Sequence, residues 1–307
     1  MKKIYLLSIV LFSVTLLILF VLYNRYAGTY AEENTYRAIS KNIDILNENL
    51  DFERRYALSL SLFISKNVRI RQALRENNQS MAIGEMTRFL TEIKEATGIK
   101  NIDIQIHTKG LKAFARSWDK SHYFGTALGG FRKGLVRVRE SLEPFASIEL
   151  GKRLNIKAIS PIFDAGRHYI GSIEVIMGFQ NIKKRMHKFD LDILGLLDKK
   201  FLDIAVDLKD HATIGHYVVV ETPYDRQLYQ ILKTHPEIMS EKKAYFTIGE
   251  RIVVLIPMLS VGIEDVGMIA LSMQTSHGTD LQDRSRQIVI QNREYRFNQK
   301  QREVHIK

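Results

Sequence analysis

From Ala31 to Ile83 the chain contains neither glycine nor proline, and apolar residues recur at Ile39, Ile43, Leu46, Leu50, Ala57, Leu60, Ile64 and Val68. Spacings of three, four and seven put these side chains on one face of a long helix. Such a face has two uses: it pairs with a second copy of the helix, or it lies along a domain. The polar run "RENNQS" at 75–80 ends the pattern, and a shorter amphipathic helix follows from Met81 to Thr97. After Gly98 the string "NIDIQIH" alternates strictly at Ile102, Ile104 and Ile106, the period-2 pattern of a half-buried strand.

Further on, "FRKGLVRVRESL" reads as a helix stopped by Pro144, and "FASIEL", "NIKAISPIF" and "YIGSIEVIMGF" read as three strands. "DAGRH" between the last two predicts a hairpin turn, with Gly166 expected to supply its positive φ. Helix, strand, loop, helix and three antiparallel strands make one PAS-like α+β module of about 100 residues. The pattern is then written again. A slide of 96 residues lays Pro161 on Pro257, Gly166 on Gly262, Gly171 on Gly267, Ile173 on Ile269 and Met177 on Met273, without a gap. A second module is therefore expected from about Leu191 to Met273, with strands in "LDILGLLD", "HYVVVE", "AYFTIG", "RIVVLIPML" and "GMIALSM" and a helix in "YDRQLYQILKTH".

The N-terminus carries a different pattern. Ile4 to Tyr23 runs twenty residues without a charge, fifteen of them Leu, Ile, Val or Phe. At ~1.5 Å per residue that is about 30 Å, the thickness of a bilayer's hydrocarbon core. Lys2 and Lys3 precede it, which favours a cytoplasmic N-terminus and export of the remainder. A cleaved signal peptide ending at Ala31 is the competing reading; its apolar region would be shorter, roughly 7 to 15 residues. The expectation is a single-pass anchor in a bacterial inner membrane, in contact with lipid.

Composition narrows the chemistry. The 307 residues are 45% hydrophobic and 26% charged, as in a folded protein, and carry a formal charge of +11. The cations are interleaved with acids, and no helix-turn-helix, zinc-finger or RNP-like string accompanies them, so no nucleic-acid partner is expected. A basic surface near an anionic bilayer accounts for them more simply. Cysteine is absent and the nine histidines are dispersed, which removes thiolate metal sites and Cys nucleophiles. With no HExxH, Walker, GxSxG or Rossmann string, no catalytic residue, metal or cofactor is expected.

The stretch Ala115 to Gly134, "ARSWDKSHYFGTALGGFRKG", has neither period, yet it holds the sole tryptophan and four glycines. Connecting loops are usually short and built from Gly, Asn, Ser and Pro. This one carries Arg116, Trp118, Tyr123, Phe124, Phe131 and Arg132. That equipment suits a binding surface; the alternative is an ordinary loop pinned by a tryptophan in the core.

The strings "IHTKGLKAFARSW", "YFGTALGGFRKGLVRV", "IELG" and "ISPIFDAGRHYIGSIEVIMGF" resemble the double Cache sensor domains of bacterial chemoreceptors, sensor kinases and cyclic-di-GMP enzymes. The similarity is specific from about Asn101 to Asp198 and weaker out to Met273. It implies a long N-terminal helix followed by two tandem PAS-like antiparallel-sheet modules, with ligand sensing most often in the membrane-distal one, here the first. The division expected is a tip and anchor at 1–24, a stalk helix at 25–80, modules at 81–190 and 191–275, and a charged tail at 276–307. In that architecture the segment before the last three strands roofs a pocket. The resemblance thus implies Trp118 and Phe131 as walls, Arg116 and Arg132 as partners of an anionic group, Tyr123 as a further contact and Asp164 as partner of an amine. His107 and Glu149 lie in matching strings as ligand or structural residues. For the arginines the alternative is a surface salt bridge, and for Asp164 plain turn chemistry.

The chain departs from such receptors after Met273, where a highly charged segment follows in place of a second membrane helix and an output domain. The resulting expectation is a membrane-anchored extracytoplasmic sensor of a small ligand, without its own transmitter. Its partners would be a second copy joined through the stalk and a separate signal-transmitting protein. The alternatives are a Cache-fold scaffold whose pocket is filled by its own side chains, or a truncated chemoreceptor or kinase.

Overall fold

The computed structural model describes residues 2–119, 125–241, 243–275 and 304–305. Tyr123 and the 276–307 tail, apart from Val304 and His305, lie outside the described residues. The chain forms two bodies, 1–45 and 46–307. In the first, the helix α1 (Lys2–Ser65) begins and exposes Ile9, Leu11, Phe12, Leu17, Phe20 and Leu22. Among the described residues α1 is the one helix long and apolar enough to cross a membrane.

The second body holds the rest of α1, then α2 (Val68–Arg75) and α3 (Gln79–Thr97). The expected unbroken stalk is interrupted at 66–67, because the Asn67 side chain accepts the N–H of Ile70 and starts a new helix. Asn78 does the same for α3 through the N–H of Met81. Most of the apolar stripe is buried within this body, with Leu46, Leu50, Ala57 and Ile64 all under 4% exposed, but Val68, past the break, is exposed. Phe52 and Phe63 sit on the opposite, exposed side.

Two antiparallel sheets follow. The first contains β1 (Ile102–Thr108), β2 (Ala113–Arg116), β3 (Phe145–Leu150), β4 (Leu154–Phe163) and β5 (Tyr169–Met177), with α4 (Lys133–Ser141) between β2 and β3. After α5 (Gln180–His187), the second contains β6 (Leu191–Asp198), β7 (Thr213–Ile214), β8 (Tyr217–Val219), β9 (Phe246–Ile248), β10 (Arg251–Ser260) and β11 (Ile263–Gln274), with α6 (Arg226–Thr234) and α7 (Glu237–Ser240) before β9. A two-residue strand β12 (Val304–His305) pairs with β3.

The spatial orders are β12-β3-β4-β5-β1-β2 and β7-β8-β6-β11-β10-β9. In both, the first strand of the module lies beside its last, so the hairpin written twice in the sequence occupies the same place in each sheet. Even the register repeats. Pro161 faces Ser172 and Pro257 faces Met268; Ile162 faces Gly171 and Met258 faces Gly267. A Cβ on Gly171 would collide with the carbonyl oxygen of His107 on β1, and one on Gly267 with that of Leu196 on β6. The repeated glycine thus marks where the last strand closes on the first.

One local expectation fails. The left-handed residue of the β4–β5 turn is Arg167, at φ 62°, and not Gly166. Asp164 closes a wider turn by accepting the N–H of His168 on its side chain at 2.8 Å, which moves the reversal one residue on.

Candidate functional site

Alternation gives the first sheet two faces, and both are buried. One carries Ile104, Ile106, Ala158, Ser160, Ile173 and Val175 and meets α1, where Ser160 and Ser61 share a 2.8 Å hydrogen bond. On the other, Phe145, Ile159, Glu174, Gln105 and Arg116 stand in one cross-strand row, with Ser147–Lys157 and Ser172–His107 in the rows beside it. Leu111 and Leu128 of the loop and Leu135 and Val138 of α4 pack on Phe145 and Ile159, so the segment after β2 covers this face.

Gln105, His107, Arg116, Ser147, Glu149, Lys157, Ser172 and Glu174 are all less than 8% exposed. Buried polar groups normally find partners, and a buried charge needs a counter-charge. Arg132 supplies much of this. It comes down from the start of α4, bonds Glu149 through Nε and Nη2 at 3.3 Å each, and clasps Glu174 through Nη1 and Nη2. Burial opposes the ionised form of Arg132 and of Glu174. The paired carboxylates nevertheless hold the guanidinium protonated, and Arg132 keeps Glu174 well below the usual carboxylate range. Glu149 also accepts the N–H of Gly134 at 3.1 Å, fastening α4 to the sheet.

Other groups on this face are not satisfied. His107 Nδ1 lies 3.1 Å from Ser172 Oγ, but Nε2 is 3.6 Å from Glu174, too far for a hydrogen bond. Burial pushes the imidazole pKa down, so it is neutral. Among the described residues, Gln105 Nε2, His107 Nε2 and Ser147 Oγ have no hydrogen-bond partner. Lys157 is 4% exposed, and burial, then the Arg132 charge, lower its pKa to about 8. Glu149 and Glu174 attract it from a distance, but Arg132 holds their oxygens. Lys157 is thus a buried cation beside two carboxylates that Arg132 already holds.

The residues expected at the site divide accordingly. Arg132, Glu149 and His107 are brought together, and Arg116 lies in the same row as Glu174. Trp118 is 48% and Phe131 43% exposed, so neither is core, and the reading of a loop pinned by its tryptophan does not describe this loop. Arg116 lies 5.7 Å from the Trp118 ring centre. Asp164 is not brought to the cluster; it bonds its own turn at His168. Gln105, Lys157, Ser172 and Glu174 were missed. Each stands in the polar phase of an alternating strand, a pattern that ordinarily marks a water-facing side.

The family model described as the double sensory domain of two-component sensor kinases (dCache_3) matches residues 32–277. The chain belongs to this double Cache family. It is accordingly a sensor domain of signal-transduction proteins. No curated protein matches it. Among solved structures, it is similar to the periplasmic domain of Vibrio cholerae LuxQ, with 13% identity, 77% of this chain and 99% of that chain covered, and a TM-score of 0.46. The sensor domain of the V. cholerae histidine kinase DctB matches at 12% identity, covering 78% and 97%, with a TM-score of 0.44. The ligand-binding domain of the Campylobacter jejuni chemoreceptor Tlp3, in complex with L-valine, matches at 10% identity, covering 81% and 96%, with a TM-score of 0.42.

The second Cache module shows what its fold requires on this face. By the 96-residue repeat, Lys157 corresponds to Val253 and Glu174 to Ala270; by register, Gln105 and His107 correspond to Leu194 and Leu196. These four join Leu228, Tyr229 and Leu232 of α6 in one closed apolar core. At these four positions the same face, in the same fold, is hydrocarbon in one module and polar or charged in the other.

Proposed function

We propose that the chain is a membrane-anchored extracytoplasmic sensor whose first Cache module binds a small carboxylate-bearing molecule between the polar sheet face and the loop that covers it. The observation that carries this is the contrast between the modules. A buried lysine and three unpartnered polar groups cost stability that Val253, Leu194 and Leu196 show the fold does not need. An anion meets the buried Lys157, with Arg116 in the adjoining row, Ser147 and Gln105 donate to it, and His107 offers its free Nε2. Trp118 and Phe131 close the mouth. Asp164 stays with its turn. Residues 4–23 hold the protein in the inner membrane with the N-terminus in the cytoplasm.

The test is a thermal-shift screen of the full chain in detergent against small mono- and dicarboxylates and amino acids, since specific binding raises the melting temperature by mass action. With the responding compound, Lys157→Met is expected to weaken binding roughly ten- to a hundredfold, about 1.5 to 3 kcal/mol, while the unliganded protein melts no lower than wild type. If no carboxylate shifts the melting, the module is a scaffold and this reading falls.

A homodimer through α1 is part of the same proposal, but Leu50 is engaged within its own domain. A cysteine at Phe63 is expected to crosslink to its twin in membranes, while one at Leu50 does not. Failure at both Phe52 and Phe63 removes the dimer through this helix.

A further inference from the structure

The two modules touch through the N–H of Leu150 on Ser260 Oγ (3.0 Å), the N–H of Asp207 on the Lys152 carbonyl (3.1 Å) and an Arg153–Asp207 ion pair at 3.4 Å. A cavity of about 310 Å³ lies between the modules, lined by Asp103, Arg153, Asn155 and Gln180 on one side and His211 and Glu221 on the other. That is the small end of the range for ligand cavities, roughly 300 to 1,000 Å³.

Lys100 and Arg153 border this cavity, yet two buried acceptors in its lining receive no donor. Glu221 is 4% exposed and its Oε1 receives no hydrogen bond from the described residues; neither does the buried Oε1 of Gln180. Asp103 accepts one long bond, 3.3 Å, from Ser117. Three of the donors nearby are engaged elsewhere: Arg153 with Asp207, His211 Nδ1 with the Val219 carbonyl at 2.9 Å, and Lys183 with the Pro223 carbonyl at 3.3 Å.

We propose that this intermodular cavity binds a small organic cation through a primary ammonium group, which donates to Glu221 and Gln180 and faces Asp103 as a second carboxylate. An ammonium has three donors and one charge, which matches two orphaned acceptors and a neighbouring acid. Burial raises the Glu221 carboxyl to about 7 against the opposing pull of Lys183 and the Gly195 N–H. It also raises Asp103 despite Lys94 and Arg153. A metal ion fits less well, because the described residues contain no cluster of three His, Asp or Glu side chains suited to one. An occupant here touches both modules at once, so it changes how firmly they are joined, independently of the first-module pocket.

The test is isothermal titration calorimetry of the full chain in detergent at pH 8, where Glu221 is mostly ionised. The probe is putrescine, with 1,4-butanediol as an uncharged control of the same length. Putrescine is expected to bind and the diol not to. Glu221→Gln and Asp103→Asn are each expected to weaken putrescine at least tenfold, with melting temperatures recorded alongside, and Arg116→Ala in the other pocket to leave it unchanged. Should Glu221→Gln fail to fold, Asp103→Asn decides alone. No heat with putrescine, equal binding of the diol, wild-type affinity in the variants, or loss in Arg116→Ala overturns the proposal.

Discussion

Arg132→Ala is expected to be the most damaging single substitution in the first module, lowering stability by about 3 to 5 kcal/mol. The guanidinium joins two carboxylates, Glu149 and Glu174, that are buried with it. Without it, two like charges remain in a low-dielectric interior, and α4 loses a link to the sheet beneath. Lys157 stays close, which puts the cost toward the lower end. Urea unfolding followed by fluorescence reads this directly, because the sole tryptophan, Trp118, belongs to the same module. Adding Glu174→Ala to Arg132→Ala is expected to restore part of the loss, since it removes a buried charge and copies Ala270 of the second module. A single variant unfolding at the wild-type urea concentration would show that the network does not hold the module together.

The second large effect is on pH dependence. The folded protein holds the Glu221 carboxyl at about 7, above its ordinary value of 4.5, because burial disfavours the charge. A group that binds its proton more tightly when folded stabilises fully below its unfolded value, and the contribution is lost as pH rises through the folded value. Between about 4.5 and 7 the protein should therefore lose about 3 kcal/mol through this group. His107 works in the opposite sense, since burial lowers its pKa and its contribution grows as pH rises toward the ordinary value of 6.5. The difference between wild type and Glu221→Gln isolates the carboxyl: the variant should gain on wild type across that window and stay ahead at pH 8. Parallel stability curves for the two proteins would mean that Glu221 is not buried as described.

Much of this architecture was legible in the residues. The 96-residue repeat foretold two equivalent hairpins, and the structure gives them the same register because the same glycine must admit a neighbouring backbone in each. The stalk was less legible. Its periodicity is that of a helix packed on something, and the stripe cannot say whether the partner is another copy or a sheet. The break at Asn67 was hidden by the absence of glycine and proline, although an asparagine caps a helix as well as it interrupts one. The site was legible in its loop and obscure in its strands. Gln105, Lys157 and Glu174 occupy the polar phase of alternating strands, and that phase ordinarily faces water. Only the covering segment, remote in sequence, turns those positions into an interior.

The first sheet is one peptide layer thick, and strand β5 presents Ser172 and Glu174 to the pocket while Ile173 and Val175, between them, press toward α1. A shift of this strand is therefore felt on both sides at once. Ser160, on the neighbouring strand, is hydrogen-bonded to Ser61 of the helix, so sliding of the sheet pulls on α1 there. No relay of side chains is required. If the polar face takes a ligand as proposed, this strand is the rack that stands between it and the helix.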